Sequence, residues 1–288
     1  MAPEKQERIE REPTYDRCNI LHCAALRHRR VAELAGFHRS WNLAAANGTG
    51  PSNHVKTMSF FERLKAEASA EWRAYTEHPF TNGMANGSLP EAAFRHYLVQ
   101  DYLFLIEFAR AYALSVYKSP TLADMREGAA GLSAILDVEM DLHVKLCAGW
   151  GLSPGTLEQA PAAAEMLAYT RYVLDAGMRG DLLALKVALA PCVIGYAEIA
   201  TRLAARPDAC AATNPYRVWI AEYAGVPYQE VAARAQAHLD RLADLYATPA
   251  REAELVAIFK EASRLETDFW QTAWLKGRSI DKAGTSPA

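Results

Sequence analysis

The sequence has little cysteine and no excess of charge of either sign. Its 288 residues include five cysteines, and 31 Lys/Arg nearly balance 34 Asp/Glu. A disulfide scaffold would carry far more cysteine, and a general nucleic-acid binder would show a basic field. The sparse, odd-numbered cysteines indicate reduced thiols, so we expect a cytoplasmic protein. The balanced charge leads us to expect no nucleic-acid partner.

Uninterrupted hydrophobic runs are also missing. The most apolar stretch, residues 182–200, contains Lys186, Pro191 and Glu198, so it predicts a buried helix and no membrane partner. The sequence has no glycine-rich phosphate loop and no Gly-x-Ser-x-Gly motif. Hydrophobic residues nevertheless make up 51% of the chain, which is enough for a large folded core and too much for a disordered chain.

The chain divides into two unequal parts. Residues 1–57 carry nine Lys/Arg and six Asp/Glu, a net charge of +3, which leaves −6 for the rest of a chain whose total is −3. This segment ends in a Gly/Asn/Ser-rich run typical of a linker, and it fits neither a secretory signal nor a transit peptide. We expect residues 1–57 to be a largely disordered extension, 58–277 the folded domain and 278–288 a flexible tail. An equally open alternative is that translation starts at Met58.

The spacing of apolar residues from position 59 onward is helical almost throughout. Phe61, Leu64 and Trp72 share one face of a predicted helix, and the Ser88–Glu91 segment predicts a helix start with Ser88 as the N-cap. Chain breakers then recur between long periodic segments, as in antiparallel bundles. We predict an all-α domain of about seven or eight helices. These helices are expected near residues 60–75, 90–117, 121–149, 161–177, 179–205, 214–224, 227–247 and 250–275.

Two residues in apolar helices are candidates for chemistry. Asp101 shares its helix face with Phe104 and Phe108, and a carboxylate on such a face is costly to bury unless something binds it. The alternative is a structural aspartate paired with an arginine. Cys192 follows Pro191, which removes a helical hydrogen bond and can expose the thiol. The alternative is a cysteine that only fills space.

Two further positions carry weaker signals. Glu266 lies beside apolar residues near the end of the domain, where the alternative is a solvated face. Glu139 and His143 are four residues apart on one helix face, a spacing that can bind metal in a bundle. A second matching pair is not evident, so a structural hydrogen bond is the alternative for these two. The tyrosines among the predicted helices each need a partner for the hydroxyl if buried.

Taken together, the order and spacing of seven motifs over about residues 60–274 resemble the TenA / thiaminase II family, which includes the aminopyrimidine aminohydrolases of thiamin salvage. Residues 1–57 have no counterpart in that family. The motifs are His78-Pro79-Phe80, Gly87-Ser88-Leu89-Pro90, Tyr97-Leu98-Val99-Gln100-Asp101, Glu139-Met140-Asp141-Leu142-His143, Pro191-Cys192-x-x-x-Tyr196-x-Glu198, Tyr216-x-x-Trp219-Ile220-x-x-Tyr223 and Glu266-x-x-Phe269-Trp270.

The resemblance implies a haem-oxygenase-like helical bundle that forms a homotetramer and needs no haem, metal or other cofactor. It implies a hydrolase that cleaves the C–N bond at the 5-methylene of 4-amino-2-methylpyrimidines and releases hydroxymethylpyrimidine. By position, Cys192 resembles the nucleophile and Glu266 the acid/base residue, which places the chain in the Cys-containing branch. Phe104 resembles the stacking aromatic, although some members have tyrosine there. The substrate-binding set implied in this way is Asp101, Phe104, Tyr169, Tyr196 and Tyr223.

Two other functions stay open on the sequence. A non-haem di-iron oxidase would use Glu139 and His143 as ligands, but it needs about six such ligands on facing helices. A non-catalytic regulator that binds pyrimidine or thiamin would be expected to lose Cys192 or Glu266, and both are present. The partner expected in the main hypothesis is a small molecule, either an aminopyrimidine or thiamin. The sequence does not choose between these two.

Overall fold

A computed structural model describes residues 58–284, which form thirteen α-helical segments and two π-helical turns and contain no strand. The first π-turn is Ile135–Glu139 and the second is Pro191–Gly195. The α-helical segments are α1 (Phe60–Glu67), α2 (Ser69–Thr76), α3 (Pro79–Ala85), α4 (Glu91–Lys118), α5 (Leu122–Ala134), α6 (Met140–Gly149), α7 (Pro154–Glu158), α8 (Ala164–Arg179), α9 (Leu182–Ala190), α10 (Tyr196–Ala204), α11 (Arg217–Ala224), α12 (Val226–Tyr246) and α13 (Pro249–Gly284).

The prediction of an all-α fold is confirmed, but the described part of the chain has more helices than expected. The π-turns join α5 to α6 and α9 to α10, which leaves eleven continuous helices. The predicted helix over 60–75 is two helices that meet at Ala68, whose φ of −105° and ψ of 25° depart from α-helical values. The short helices α3 and α7 lie in segments that the periodicity left as connections, because one or two turns are too short to show a repeat.

The predicted N-cap of the long helix α4 is wrong. Pro90, not Ser88, occupies the cap position, and no side chain caps this helix. The Ser88 hydroxyl instead donates to the Asn86 side-chain oxygen at 2.7 Å. Gly87, with a φ of +73°, sets the tight turn that takes Ser88 away from the helix start, since this region favours glycine.

Four helices form the centre of the bundle. Helix α4 packs against α8 and α13, and α9 packs against α8 and α13 as well. The stretch 182–204 is long and apolar enough to cross a membrane, yet 83% of its most apolar window is buried inside the protein. This is the burial of a core helix, as the sequence predicted. Each of the four central helices, or the turn that follows it, contributes at least one residue to the site described below.

The predictions for the two chain ends fall largely outside the described residues. The extension over 1–57, to which the alternative start at Met58 refers, lies outside them, and so do residues 285–288. Helix α13 continues to Gly284, seven residues beyond the boundary predicted at 277. The flexibility of the tail stays a prediction.

Candidate active site

The second π-turn presents Cys192 at the centre of the bundle. Pro191 has no N–H and therefore cannot bond to the carbonyl of Val187, so the helix widens at this point. The turn is held from α2, where the Tyr75 hydroxyl donates to the Pro191 carbonyl at 3.2 Å. Pro191 and the other residues of the turn are buried, whereas Cys192 is partly exposed. The proline thus puts a reachable thiol into an otherwise closed core, as the sequence predicted.

Gly195 makes the close approach of Tyr75 possible. A Cβ at this position would lie 2.5 Å from Cε1 of the Tyr75 ring, far inside van der Waals contact. The ring itself is completely buried. The glycine and the tyrosine together therefore fix the position of the turn that carries Cys192.

Glu266 on α13 is bound to Tyr169 on α8. The Tyr169 hydroxyl donates to Glu266 Oε1 at 2.9 Å, and the carboxyl group is buried. Burial raises the pKa of Glu266 to about 8; the Tyr169 hydrogen bond opposes this rise, and the charge of Asp101 adds to it. Glu266 is therefore a buried carboxylic acid that still holds a proton near neutral pH.

The electrostatic surroundings of Cys192 favour the neutral thiol. Burial raises the pKa of Cys192 well above its usual value, and the neighbouring carboxyl groups of Glu266, Glu139 and Asp101 raise it further. The groups that shift this pKa, all among the described residues, include no cation, unlike in sites that hold a resting thiolate. A cysteine in these surroundings would therefore have to lose its proton as it reacts.

Asp101 on α4 is nearly buried and ends a short chain of hydrogen bonds. Trp219 Nε1 donates to the Tyr97 hydroxyl oxygen at 3.0 Å, and that hydroxyl donates to Asp101 Oδ2 at 3.0 Å. Burial raises the pKa of Asp101 to about 7, while the Tyr97 hydrogen bond lowers it. Among the described residues Asp101 forms no ion pair with an arginine, and its hydrogen-bond partner is Tyr97.

His143 on α6 approaches Asp101 from the other side. Its Nδ1 lies 3.5 Å from Asp101 Oδ2, and its Nε2 lies 2.7 Å from the carbonyl oxygen of Leu98. Both ring nitrogens thus face protein oxygens. In residues 58–279 no three His, Cys, Asp or Glu side chains are grouped closely enough to hold a metal ion, so the ligand set that the di-iron hypothesis requires is not assembled there.

Aromatic ring pairs lie among the predicted site residues. Phe104 is stacked on Tyr169, with ring centroids 5.3 Å apart and an interplanar angle of 27°. Tyr196 packs against Tyr223 at 5.3 Å and against Trp270 at 5.5 Å. Such surfaces suit a flat heterocycle, which is apolar on its faces and polar at its edge.

The structure brings all seven predicted site residues into one cluster around Cys192, although their roles stay predictions. The sequence did not single out Tyr97, which lies four residues before Asp101 and therefore on the same face of α4. Glu139 ends the first π-turn; burial raises its pKa to about 8, with Asp101 adding to the effect. It was predicted as a possible metal ligand, whereas it lies beside the thiol and the other acids.

Two surface cavities lie away from this cluster. One of about 430 Å³ is next to α2 and includes Trp72, Arg73 and Glu198. The other, of about 580 Å³, lies between α4 and the end of α13 and includes Arg95 and Lys276. Neither is lined by Cys192, Glu266 or Asp101.

An all-α bundle whose centre brings together a partly exposed cysteine, two buried carboxyl groups and several aromatic rings has the kinds of group that a small-molecule site needs. The model of the TENA/THI-4/PQQC family matches residues 65–276. The chain belongs to this family.

Individual relatives agree with this assignment. The protein named aminopyrimidine aminohydrolase from Halalkalibacterium halodurans is 39% identical over 218 residues, which are 75% of this chain and 96% of that one. A solved structure described as a TenA family transcription regulator from Silicibacter sp. TM1040 is 43% identical with a TM-score of 0.70, covering 74% of this chain and 96% of the other.

A more distant solved structure bears on the fold alone. A Shewanella denitrificans domain described as having a heme oxygenase-like fold is 10% identical with a TM-score of 0.62, covering 78% of this chain and 96% of that chain. The predicted haem-oxygenase-like bundle is confirmed.

Proposed function

We propose that the protein is an aminopyrimidine aminohydrolase of the TenA type, a hydrolase of thiamin metabolism that acts on C–N bonds. The observation that carries this proposal is that Glu266 and Asp101 both act electrostatically on Cys192, in a core rich in aromatic rings. The names of relatives that cover most of the chain support the same activity. The product is hydroxymethylpyrimidine, and the substrate carries an amine or a thiazolium on the 5-methylene.

The site is suited to hold a 4-aminopyrimidine in one orientation. Phe104 and Tyr169 supply one aromatic surface for stacking on the ring, and Tyr196 and Tyr223 supply another. Asp101 can accept a hydrogen bond from the exocyclic amine, which fixes the polar edge of the ring. Phe104 has no hydroxyl, so it contributes stacking only.

In the first half of the reaction the sulfur of Cys192 bonds to C6 of the ring, and one electron pair of the ring moves to a ring nitrogen. The thiol loses its proton and the ring nitrogen gains one, so that S–H is added in net terms across a C=N bond. Because Glu266 holds a proton near neutral pH, it can give that proton to the substrate and take up the proton of the thiol.

In the second half the C–N bond at the methylene breaks, and the amine leaves with the bonding electron pair. The ring electrons form an exocyclic methylene, to which water adds with loss of a proton. The C6–S bond then breaks, the ring nitrogen loses its proton, and the thiol recovers one. Glu266 is the proposed carrier of protons to the leaving amine and from the water.

The remaining features are proposed on the family resemblance and the composition. We propose a cytoplasmic homotetramer whose partner is the small-molecule substrate, with no nucleic-acid or membrane partner. The few cysteines and the balanced charge support the compartment and the lack of a nucleic-acid partner.

Steady-state hydrolysis by the full chain tests the proposal. We expect release of hydroxymethylpyrimidine from 4-amino-5-aminomethyl-2-methylpyrimidine, from thiamin, or from both, and the ratio of the two kcat/KM values decides between salvage and thiamin degradation. Release from neither compound by folded protein would overturn the proposal. A Cys210→Ser variant should be assayed in parallel as the control, because Cys210 is exposed and is not part of the proposed chemistry.

A further inference from the structure

His143 contacts Asp101 from a second helix but takes no part in the chemistry described above. Its side chain is 4% exposed. The ring is held by Leu98, whose carbonyl oxygen is 2.7 Å from Nε2, and its other nitrogen is 3.5 Å from Asp101 Oδ2. The ring of Tyr102 lies nearly parallel to it, with centroids 6.5 Å apart. The orientation of the imidazole is thus fixed on three sides.

The contact with Leu98 fixes the tautomer. A backbone carbonyl oxygen can only accept a hydrogen bond, so Nε2 must carry a hydrogen. In the neutral ring Nδ1 is then a lone pair, and this lone pair faces Asp101. A lone pair and an ionised carboxylate oxygen would repel each other. The contact is favourable only when a proton lies between the two atoms, as an imidazolium facing a carboxylate or as a neutral imidazole facing a carboxylic acid.

The surroundings select between these two forms. Burial raises the pKa of Asp101 to about 7 and lowers the pKa of His143 to about 4. Both effects favour the uncharged partners, so below about pH 7 the shared proton lies on Asp101. Among the described residues, the titratable groups that face this pair are acids, thiols or phenols and include no cation. They are Tyr97 and Tyr102 on α4, Cys147 on α6, Glu139 in the first π-turn, Cys192 and Tyr196 at the second π-turn, Tyr223 on α11 and Glu266 on α13.

We propose that His143 is the positioning residue of Asp101: it holds one exchangeable proton on the Asp101–His143 pair and thereby sets the pH range in which Asp101 binds the edge of an aminopyrimidine. This inference rests on the proposed function. An aminopyrimidine edge presents a ring nitrogen that accepts and an amine that donates, and Asp101 can match both only while a proton is available to the pair. At 3.5 Å the contact is longer than a hydrogen bond, and such contacts often shorten when the ligand is bound.

The first arm of the test uses no ligand. In the full chain with ¹⁵N-labelled histidine, we expect His143 Nε2 to stay protonated at every pH. We expect the Nδ1 signal to move toward that of a free acceptor as the pH rises through about 7, where Asp101 loses its proton. Asp101→Asn should abolish this movement. A tautomer protonated on Nδ1 and bare on Nε2, or an Nδ1 signal that does not respond to pH in the unsubstituted chain, would overturn the proposal.

The second arm measures binding of 4-amino-5-hydroxymethyl-2-methylpyrimidine against pH in Cys192→Ser protein, which cannot form the covalent adduct. Binding should weaken as the pH rises through about 7. Adding His143→Asn should move this midpoint at least one pH unit lower, because a fixed amide N–H stabilises the Asp101 carboxylate. Titration of the ligand is common to both proteins, so the shift between the two curves reports the protein.

His143→Gln is the matched control for a merely structural role. Its amide reaches the Nε2 position and can still donate to Leu98, but it places no nitrogen at the Nδ1 position. We expect this variant, made in the Cys192→Ser protein, to keep that protein's melting temperature. Its affinity for the pyrimidine should fall, and the pH midpoint of binding should differ from that of the Cys192→Ser protein. Recovery of both by His143→Gln would show that the histidine only anchors Leu98, and the proposal would fail. A complete lack of pyrimidine binding by the unsubstituted chain would count against the proposed function instead, and the ligand-free titration would still decide how the proton is shared.

Discussion

Two buried aspartates, Asp101 and Asp124, lie in very different surroundings. Both are in helices and are 5% and 2% exposed. Asp124 accepts hydrogen bonds from the Thr121 hydroxyl at 2.6 Å, from His238 Nε2 at 3.2 Å and from the guanidinium of Arg241. Burial alone would raise its pKa, but these donors outweigh burial and hold the pKa below the usual value. Asp101 has one hydroxyl donor and a histidine, and its pKa rises to about 7.

The difference separates a structural carboxylate from one that is available for a ligand. The cluster of Asp124, Thr121, His238 and Arg241 is complete within the protein, so changing it should lower stability and leave chemistry alone. The cluster around Cys192 holds three carboxyl groups without a full set of donors, an arrangement that a folded chain retains at functional sites in spite of its cost. Changing that cluster should lower the rate and leave stability alone or raise it.

The largest effect is expected for Cys192→Ser. A serine hydroxyl is a far weaker nucleophile without a strong base, so we expect kcat to fall by about 1,000-fold or more, roughly 4 kcal/mol. The free energy of unfolding should change by less than about 1 kcal/mol, since the side chains differ by one atom. Product release in steady state and chemical unfolding measure the two quantities. Activity equal to that of Cys210→Ser would remove Cys192 from its proposed role.

Asp101→Asn should act in the same direction with a smaller amplitude. The amide is nearly isosteric with the protonated acid but cannot exchange a proton, so we expect kcat/KM to fall by about 100-fold, roughly 2.7 kcal/mol. Stability should stay within about 1 kcal/mol of the parent, because no buried charge is created. A loss of stability as large as that of Asp124→Asn would contradict the distinction between the two aspartates.

Asp124→Asn should show the opposite pattern. The change removes the carboxylate that pairs with His238 and Arg241, and it weakens the link between α5 and α12. Since Arg241 is half exposed and can turn to water, we expect a loss of about 2 kcal/mol in the free energy of unfolding rather than the larger loss of a fully buried pair. Activity at a temperature well below melting should match the parent. A rate loss without a stability loss would show that this cluster is part of the site.

The sequence predicted the bundle and the members of the site for identifiable reasons. Helical periodicity and chain breakers define long helices whatever their tertiary contacts. The placement of Asp101 on an apolar face and of Cys192 after Pro191 are local patterns, and both residues lie at the centre of the structure. The role of Tyr169 came from the family resemblance alone, and that of Glu266 came from the resemblance together with a weak local signal, its apolar neighbours Leu265 and Phe269.

What the sequence did not predict depends on distant contacts. The hydrogen bond between Tyr169 and Glu266 joins residues 97 positions apart, and the contact of Tyr75 with Pro191 spans 116. The break at Ala68 and the failure of Ser88 to cap α4 depend on how neighbouring helices and the Gly87 turn are placed. A period or a cap motif reports only what the nearest few residues favour, and here the packing decided otherwise.

A further effect concerns the pH dependence of stability and uses Glu266. Its pKa is raised from 4.5 to about 8 in the folded protein, so the native state keeps a proton that the unfolded chain releases. The stabilisation from this proton is complete below about pH 4.5 and is lost as the pH rises through about 8. Glu266→Gln has no such proton. Its stability relative to the parent should therefore increase between pH 5.5 and 8, by about 1.4 kcal/mol for each pH unit over which Glu266 is protonated in the native state and ionised in the unfolded chain.

Asp124→Asn provides the opposite behaviour in the same experiment. The pKa of Asp124 is lowered on folding, so its contribution to stability is present above the pKa of the unfolded chain and is lost only as the pH falls through the folded value. Between pH 5.5 and 8 this carboxyl group is ionised in both states, so its own titration adds no slope to the deficit of Asp124→Asn. Urea unfolding of the parent and the two variants at both pH values measures this. If the Glu266→Gln difference is as flat as that of Asp124→Asn, the carboxyl group of Glu266 is ionised in the folded protein, and it cannot then be the acid that gives the first proton to the substrate.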